Sequence, residues 1–303
     1  MRVDCPVCSK RPDFISDDRT VVRFGSFYRK SDSRTVPRFR CLSCRKCFSL
    51  ATFDVCFRQK KRHKNHVLSK LLCSGVSGRK CAKILCLNRK TVARKLIFLG
   101  AQAKEELFWF NALSTKASFV QFDDLETIEH TKYKPLSVIL AVESPSRRIL
   151  GFQVAKMNAK GLLAEKGLKK YGRRIDERTI KRRRLFAELK SLISDHAVIR
   201  SDSNPYYSED VRDYFPTCEY QTILSRRSSV GGQGELKKVK YDPIFSLNHT
   251  CAMLRYSLSR LIRKTWCTTK KAQRLSDHLA IYALYHNQTL KRAGENCREC
   301  LDA

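Results

Sequence analysis

Two groups of residues in this chain have types and spacing that can do chemistry: paired cysteines near the start, and three aspartates in a sequence dominated by lysine and arginine. Cys5-Pro-Val-Cys8 and Cys41-Leu-Ser-Cys44 share the Cys-x-x-Cys spacing, with Cys47 just beyond. Such a turn aims two thiolates at one tetrahedral ion, and two turns close a structural Zn²⁺ site. One accidental pair beside core cysteines is the plain alternative. Cys47, His63 and His66 are substitute ligands, although a His in a basic run is more often solvated. Cys56, Cys73, Cys81 and Cys86 fall at apolar helix positions and read as small core hydrophobes. Cys297-Arg-Glu-Cys300 is a lone pair in a polar tail, weak evidence for metal.

The acids form the second group. Asp123-Asp124 ends an apolar run at 118–122, and Asp202 ends the run Ala197-Val-Ile-Arg-Ser201. Open α/β sheets place their chemistry at the C-terminal ends of strands. Carboxylates brought together repel one another unless a cation neutralises them. Mg²⁺ or Mn²⁺ prefers such hard oxygen ligands. Two such ions can activate a water or a 3′-hydroxyl and stabilise the leaving oxygen in phosphoryl transfer. Equally, Asp123, Asp124 and Asp202 can cap loops and pair with nearby Arg.

Composition sets the partner class. The 303 residues hold 61 Lys plus Arg against 29 Asp plus Glu, a formal charge of +32. Apolar residues still make up 42% and aromatics 10%, enough to argue against intrinsic disorder. The charge points to a polyanion, nucleic acid before a membrane surface. No apolar run is long enough to span a membrane, and the N-terminus lacks a secretory apolar region. The expectation is a cytoplasmic, nucleoid-associated protein whose 14 Cys stay reduced.

The elements that must position these residues fall into four stretches. Residues 1–55 read as a zinc ribbon, with short strands near 20–27 and 34–40 between the cysteine pairs. Residues 56–116 read as a helix-turn-helix with a linker. Its first helix, 78–85, is capped by Ser77; its second, 89–99, is capped by Asn88 and closed by Gly100. Arg79 lies on the first. Arg89, Lys90, Thr91, Arg94 and Lys95 cluster at the start of the second, where a recognition helix meets bases and phosphates. A basic helical hairpin that only packs the domain is the alternative. Phe108-Trp109-Phe110 reads as packing. Residues 117–290 read as an α/β domain: a three-strand meander at 118–122, 136–142 and 148–154, a basic helix at 179–193, and the strand ending at Asp202. A long helix at 247–264 then presents Arg260, Arg263 and Lys264 opposite its apolar face, and a last helix covers 272–286. Residues 291–303 are a polar tail.

In this order the parts resemble bacterial insertion-sequence transposases of the DDE type, in particular the insertion-element-one-like group. The resemblance covers most of the chain. It rests on CPVC…RCLSC, SGVSGRKCAKILCLNRKTVARKL, QFDD, VIRSDSNPY and LRYSLSRLIRKTWCTTKK. It implies a ribonuclease-H-like catalytic domain whose three acids bind two Mg²⁺ ions. It makes Asp123 the first acid, with Asp124 as neighbour or substitute, and Asp202 the second. The family's Glu, a few residues before the Leu-Arg run, is replaced here by Asn248, followed by His249. Asn248 can offer a carbonyl and His249 a nitrogen, but neither brings a carboxylate's charge. Glu235, in a glycine-rich segment after Asp202, is the other candidate. That segment can equally be a turn that contacts DNA through Lys237, Lys238 and Lys240.

The function expected on this resemblance is a transposase. It would bind double-stranded DNA at terminal inverted repeats, cut it, and join it to target DNA as a homo-oligomer. The rivals are a weakened relative that binds ends as a sequence-specific DNA-binding protein, and a nuclease that never joins.

Overall fold

A computed structural model describes residues 3–12, 20–30, 33–223, 242–262 and 267–299, with 294–299 as backbone alone. Packing divides the chain into two units, Met1–Val67 and Leu68–Ala303. Among the described residues no helix is long and apolar enough to cross a membrane.

The first unit is a small three-stranded antiparallel sheet, β1 (Val21–Arg29), β2 (Arg34–Cys41) and β3 (Cys47–Ser49), in the order β1-β2-β3. Its core is minimal: Cys5, Cys8, Cys41 and Phe48, backed by Val3, Val21, Phe39 and Cys44. So small an apolar cluster supplies little of the stability a domain needs, and a cross-link is the usual remedy.

The second unit is mixed α/β. α1 (Asn65–Cys73) runs across its start at Leu68, and α2 (Gly78–Ile84) and α3 (Arg89–Ala112) follow. The caps fall where the sequence puts them: Ser77 Oγ accepts from the Lys80 amide, and Asn88 Oδ1 from the Lys90 amide. Cys81 is buried as expected, but Cys86 is exposed in the turn with φ of +52°. The second helix does not stop at Gly100. It runs 24 residues, and its buried stripe continues through Gly100, Ala103, Leu107 and Asn111. Glycine is needed there for close approach: a Cβ on it would stand 2.5 Å from Asp277 Cβ and 2.8 Å from Asp277 Cα, on the last helix. Lys104, one turn on, donates to Asp277 Oδ1 at 2.9 Å and ties the same crossing.

The sheet that follows has five strands: β4 (Ala117–Glu129), β5 (Thr131–Glu143), β6 (Ile149–Lys156), β7 (Ile193–Asp202) and β8 (Glu219–Ile223). Their order is β6-β5-β4-β7-β8. The first three form the expected antiparallel meander, whereas β7 runs parallel to β4, and β8 parallel to β7. Between β6 and β7 lie α4 (Leu162–Tyr171) and α5 (Arg178–Leu189); α6 (Tyr207–Tyr214) joins β7 to β8; α7 (Phe245–Ser257) and α8 (Ala272–Glu299) follow.

Two cores flank the sheet. Leu125, Leu136, Val138, Leu140 and Val142 belong to one, with residues of α1–α3, α7 and α8. Val120, Phe122, Ile139 and Ala141 belong to the other, with α5 and α6. The alternation is what a sheet covered on both faces requires. Residues of α1–α3 thus share one apolar core with the sheet. Asn111 Nδ2 reaches the Ile149 and Leu150 carbonyls at 3.1 and 3.0 Å. From α8, Asn287 both accepts from Ile149 N–H and donates to its carbonyl.

Candidate functional site

β4 is longer than its apolar run suggests, and Asp123 and Asp124 lie in its middle rather than at its end. Register decides what each acid faces. Asp123 pairs with Leu140 and shares that face with Gln121 and Leu125; Asp124 pairs with Ile139 and faces the other way. On the parallel side the β4–β7 pairing ends at Gln121 and Arg200, two residues before Asp123 on one strand and Asp202 on the other, and the Asp202 charge acts on Asp123. Parallel neighbours point to one side, so the two carboxylates share a face.

Burial first, then the Asp202 charge, push the Asp123 carboxyl up to about 7. The Asp124 amide donates to Asp123 Oδ1 at 2.6 Å. Asp124 itself is raised by burial, against the pull of Arg182 and Arg178, and its Oδ1 is buried without a hydrogen-bond partner. Behind Asp202 the chain turns at once: the Asn204 amide donates to Asp202 Oδ1 at 3.2 Å, and α6 starts three residues later. That turn brings Tyr207 back over the sheet. Its ring lies 5.0 Å from that of Phe122, and its hydroxyl donates to Asp123 Oδ1 at 3.5 Å. Burial, and then the charges of Asp124, Asp123 and Asp202, raise this phenol, so it stays a neutral donor. Arg182 stacks 5.0 Å over the same ring and is held in place by buried Asp210, whose Oδ2 accepts from its Nε at 2.6 Å.

α7 covers the Asp123 face. Gln121 fixes it at both ends of one amide: Oε1 accepts from Leu247 N–H at 3.0 Å, and Nε2 donates to the Pro243 carbonyl at 3.2 Å. Two residues along β4 and four along α7 cover nearly the same distance, about 6–7 Å. Cys251 is thereby carried toward Asp123; burial first, and then the Asp123 charge, push its thiol up to about 12. Asn248, one turn earlier, gives its Nδ2 to Asp242 Oδ2 at 2.9 Å. His249 turns instead to Arg147, 3.4 Å from either ring nitrogen, and to the Phe245 ring. Glu235 lies outside the described residues, as do Lys237, Lys238 and Lys240. Among the described residues Asp123 and Asp202 belong to no group of three His, Cys, Asp or Glu whose ligand atoms all lie within 4.8 Å of one another.

Tyr207, Cys251 and Gln121 are the neighbours the sequence did not single out. Tyr207 stands five residues after Asp202, in Asp-Ser-Asn-Pro-Tyr-Tyr, and a turn signal that strong predicts a return of the chain. Nothing local marks Cys251 or Gln121, whose places depend on how α7 crosses β4.

The second candidate centre lies in the first unit. Cys5, Cys8, Cys41 and Cys44 bring their sulfurs within 4.8 Å of one another. Cys5 and Cys44 are 3.6 Å apart and Cys8 and Cys41 3.9 Å. Tetrahedral zinc with Zn–S bonds near 2.3 Å requires sulfur separations of about 3.8 Å, so the four residues fit that ion. Hydrogen bonding to Cys44, then burial, pushes the Cys8 thiol up to about 12. Cys41 is drawn down to about 7, where hydrogen bonds involving Cys44, Cys5 and Ser43 outweigh its burial. Thiols this close share protons that a cation would displace. Cys47 is exposed and outside the group.

The basic residues divide. Arg79, Arg89, Lys90 and Arg94 are exposed on α2 and the start of α3, and Thr91 is half-buried. Lys95 is only 3% exposed, one turn after Val92 on the packed stripe, and so does not share the exposed basic surface of Arg89, Lys90 and Arg94. Arg260 is corrected too. α7 ends at Ser257, so Arg260 is not on a helix face but half-buried, with Asp277 and Arg274 near its guanidinium. Arg263 and Lys264 lie outside the described residues.

No protein-family model matches this chain, and no curated protein sequence does. Among solved structures it is similar to the Mos1 strand transfer complex, with 13% identity over 77% of this chain and 78% of that one, at a TM-score of 0.25. It is also similar to the catalytic domain of Mos1 mariner transposase, with 12% identity over 63% and 91% and a TM-score of 0.22. Superpositions this loose leave the fold to the strand order and register described above.

Proposed function

We propose that this chain is a DDE-type DNA transposase whose metal site is built on Asp123 and Asp202. The observation that carries the reading is the carboxylate pair itself: two acids on adjacent parallel strands, each two residues past the last paired position, with the charge of Asp202 acting on Asp123, in a chain of charge +32. The strand order β6-β5-β4-β7-β8, a meander followed by two parallel strands, supports a ribonuclease-H-like domain. The exposed basic start of α3 supports DNA binding by a helix-turn-helix, and the four-cysteine group supports Zn²⁺ in an N-terminal ribbon.

Asp123 and Asp202 would hold Mg²⁺ or Mn²⁺, with Asn248 or Glu235 completing the ligand set. When bound, such an ion supplies charge stabilisation to an in-line phosphoryl transfer. The chain's own residues do the rest. Tyr207 holds a hydrogen bond on Asp123 and orients it. Burial of Asp123 and the nearby Asp202 charge both disfavour its ionised form, so a cation would be favoured over two free charges. Arg79, Arg89, Lys90, Thr91 and Arg94 would bind the terminal repeats, and a homo-oligomer would bring two ends together.

A second reading, a sequence-specific binding protein that does not cut, is favoured by one observation: Asp123 and Asp202 form no close group of three ligand residues among the described residues. The test is incubation with duplexes carrying cognate ends, in Mg²⁺ or Mn²⁺. The transposase reading expects cleaved and joined product, lost in Asp123→Ala and Asp202→Ala while end binding is kept. Specific binding without metal-dependent product would establish the second reading, and cleavage that is never followed by joining would identify a nuclease.

A further inference from the structure

The β1–β2 hairpin carries a basic surface of its own. β1 is exposed along nearly all its length, although Val22, Phe24, Phe27 and Tyr28 are residue types that ordinarily cover a core. Phe24 is 44% exposed and Tyr28 60%. The strand register breaks between Arg23 and Ser26, and Gly25 sits in the break with φ of +77°. No atom lies within 4 Å of the place where its Cβ would be, so glycine serves the backbone angle rather than the space.

This bulge takes Phe24 out of the ladder, and its ring meets two guanidinium groups from β2. Arg38 lies 5.7 Å and Arg40 5.4 Å from the ring centroid. Two apart on one strand, these arginines share a face, with their backbones about 7 Å apart. Among the described residues no carboxylate pairs with either. The two strands hold Arg23, Arg29, Arg34, Arg38 and Arg40 and no acid. A guanidinium resting on an aromatic face keeps its N–H edge outward, and the stacking is worth about 0.5–1 kcal/mol at an exposed site. Two forks held side by side, with no acid among the described residues to neutralise them, fit a row of oxyanions.

We infer that this face binds the phosphate backbone of DNA, Arg38 and Arg40 each taking a phosphate and Phe24 fixing their direction. The inference rests on the reading of the chain as a DNA-binding protein, and adds a contact surface apart from the recognition helix.

The test is the salt dependence of full-length protein binding to a short duplex of arbitrary sequence, with zinc content measured on every variant. Each phosphate contact contributes about 0.9 to the slope of log K against log salt. Arg38→Gln with Arg40→Gln lowers the slope by about 2, and Phe24→Ala weakens binding at unchanged charge. If the glutamine pair loses zinc, Arg38→Lys with Arg40→Lys decides: the slope stays, and affinity falls several-fold as the fork is lost. An unchanged slope with zinc retained overturns the inference, as does an effect seen with RNA but not with duplex DNA. Arg89→Gln with Arg94→Gln separates the two claims. If that pair weakens binding and the ribbon variants do not, the DNA-binding reading stands and this surface fails. If wild type binds no DNA, the reading itself fails.

Discussion

Asp202, two residues past the last β4–β7 pair as Asp123 is on its own strand, puts its charge on Asp123 and adds to burial in holding that carboxyl protonated up to about pH 7. The unfolded group titrates near 4. Below pH 4 both states carry the proton, and the group has no effect on stability. Between about pH 4 and 7 the folded chain keeps a proton that the unfolded chain has released, so stability falls as pH rises. Above 7 the whole penalty persists, at most about 4 kcal/mol. Asp123→Asn removes it. In chelator the variant melts above wild type at pH 8 and with it at pH 4; equal shifts at the two pH values would contradict the assignment.

The same pair predicts a metal response. At pH 8, Mn²⁺ or Mg²⁺ raises the melting temperature of wild type, because an ion that binds only the folded state stabilises it by mass action. Asp123→Asn and Asp202→Asn lose that shift. Thermal melts across a metal titration check this without any DNA, and an undiminished shift in both variants would place the ion elsewhere.

Zinc removal acts on the first unit. Its apolar core is four residues, three of them cysteines of the group, so without the ion little holds β1–β3 together. One zinc per chain is expected, lost in Cys41→Ser. A strong chelator abolishes the near-ultraviolet signal and protease resistance of residues 1–67 and leaves those of 68–303. Metal analysis and limited proteolysis read both outcomes.

Burial separates two adjacent residues of α3. Arg94 is exposed, and Lys95 is 3% exposed. Arg94→Gln lowers the salt slope of DNA binding by about 1. Lys95→Met leaves the slope unchanged. A drop on Lys95→Met, with the melting temperature kept, would return Lys95 to the interface.

Gly100→Ala places a methyl group against the backbone of Asp277 rather than against a flexible side-chain end. Overpacking of this kind costs about 1–3 kcal/mol, and backbone contact puts it at the upper end. Urea unfolding should show a lower midpoint at an unchanged m-value.

Much of this was legible in sequence. Cys-x-x-Cys spacing found the sulfur group, and Ser77 and Asn88 found two helix starts, because each signal is local. The misreadings share a cause. Gly100 looks like a helix stop until the neighbouring helix that requires it is known. Lys95 looks like a DNA contact until the packed stripe beside it is traced, and Arg260 until α7 is seen to end at Ser257. Asp123 and Asp124 look interchangeable because a strand's two faces are distinguished only by register. Cys251 and Tyr207 arrive from later in the chain, and no periodicity records that.

The unbroken α3 gives the proposed chemistry a length scale. Its 24 residues make a rod of about 36 Å, with Arg89 at one end and Asn111 fastened to the first residues of β6 at the other. One turn of B-DNA advances about the same distance. On the proposed function, with no break in the helix between Arg89 and Asn111, α3 would act as a ruler, and the offset between the sequence held and the bond cut would follow from its number of turns.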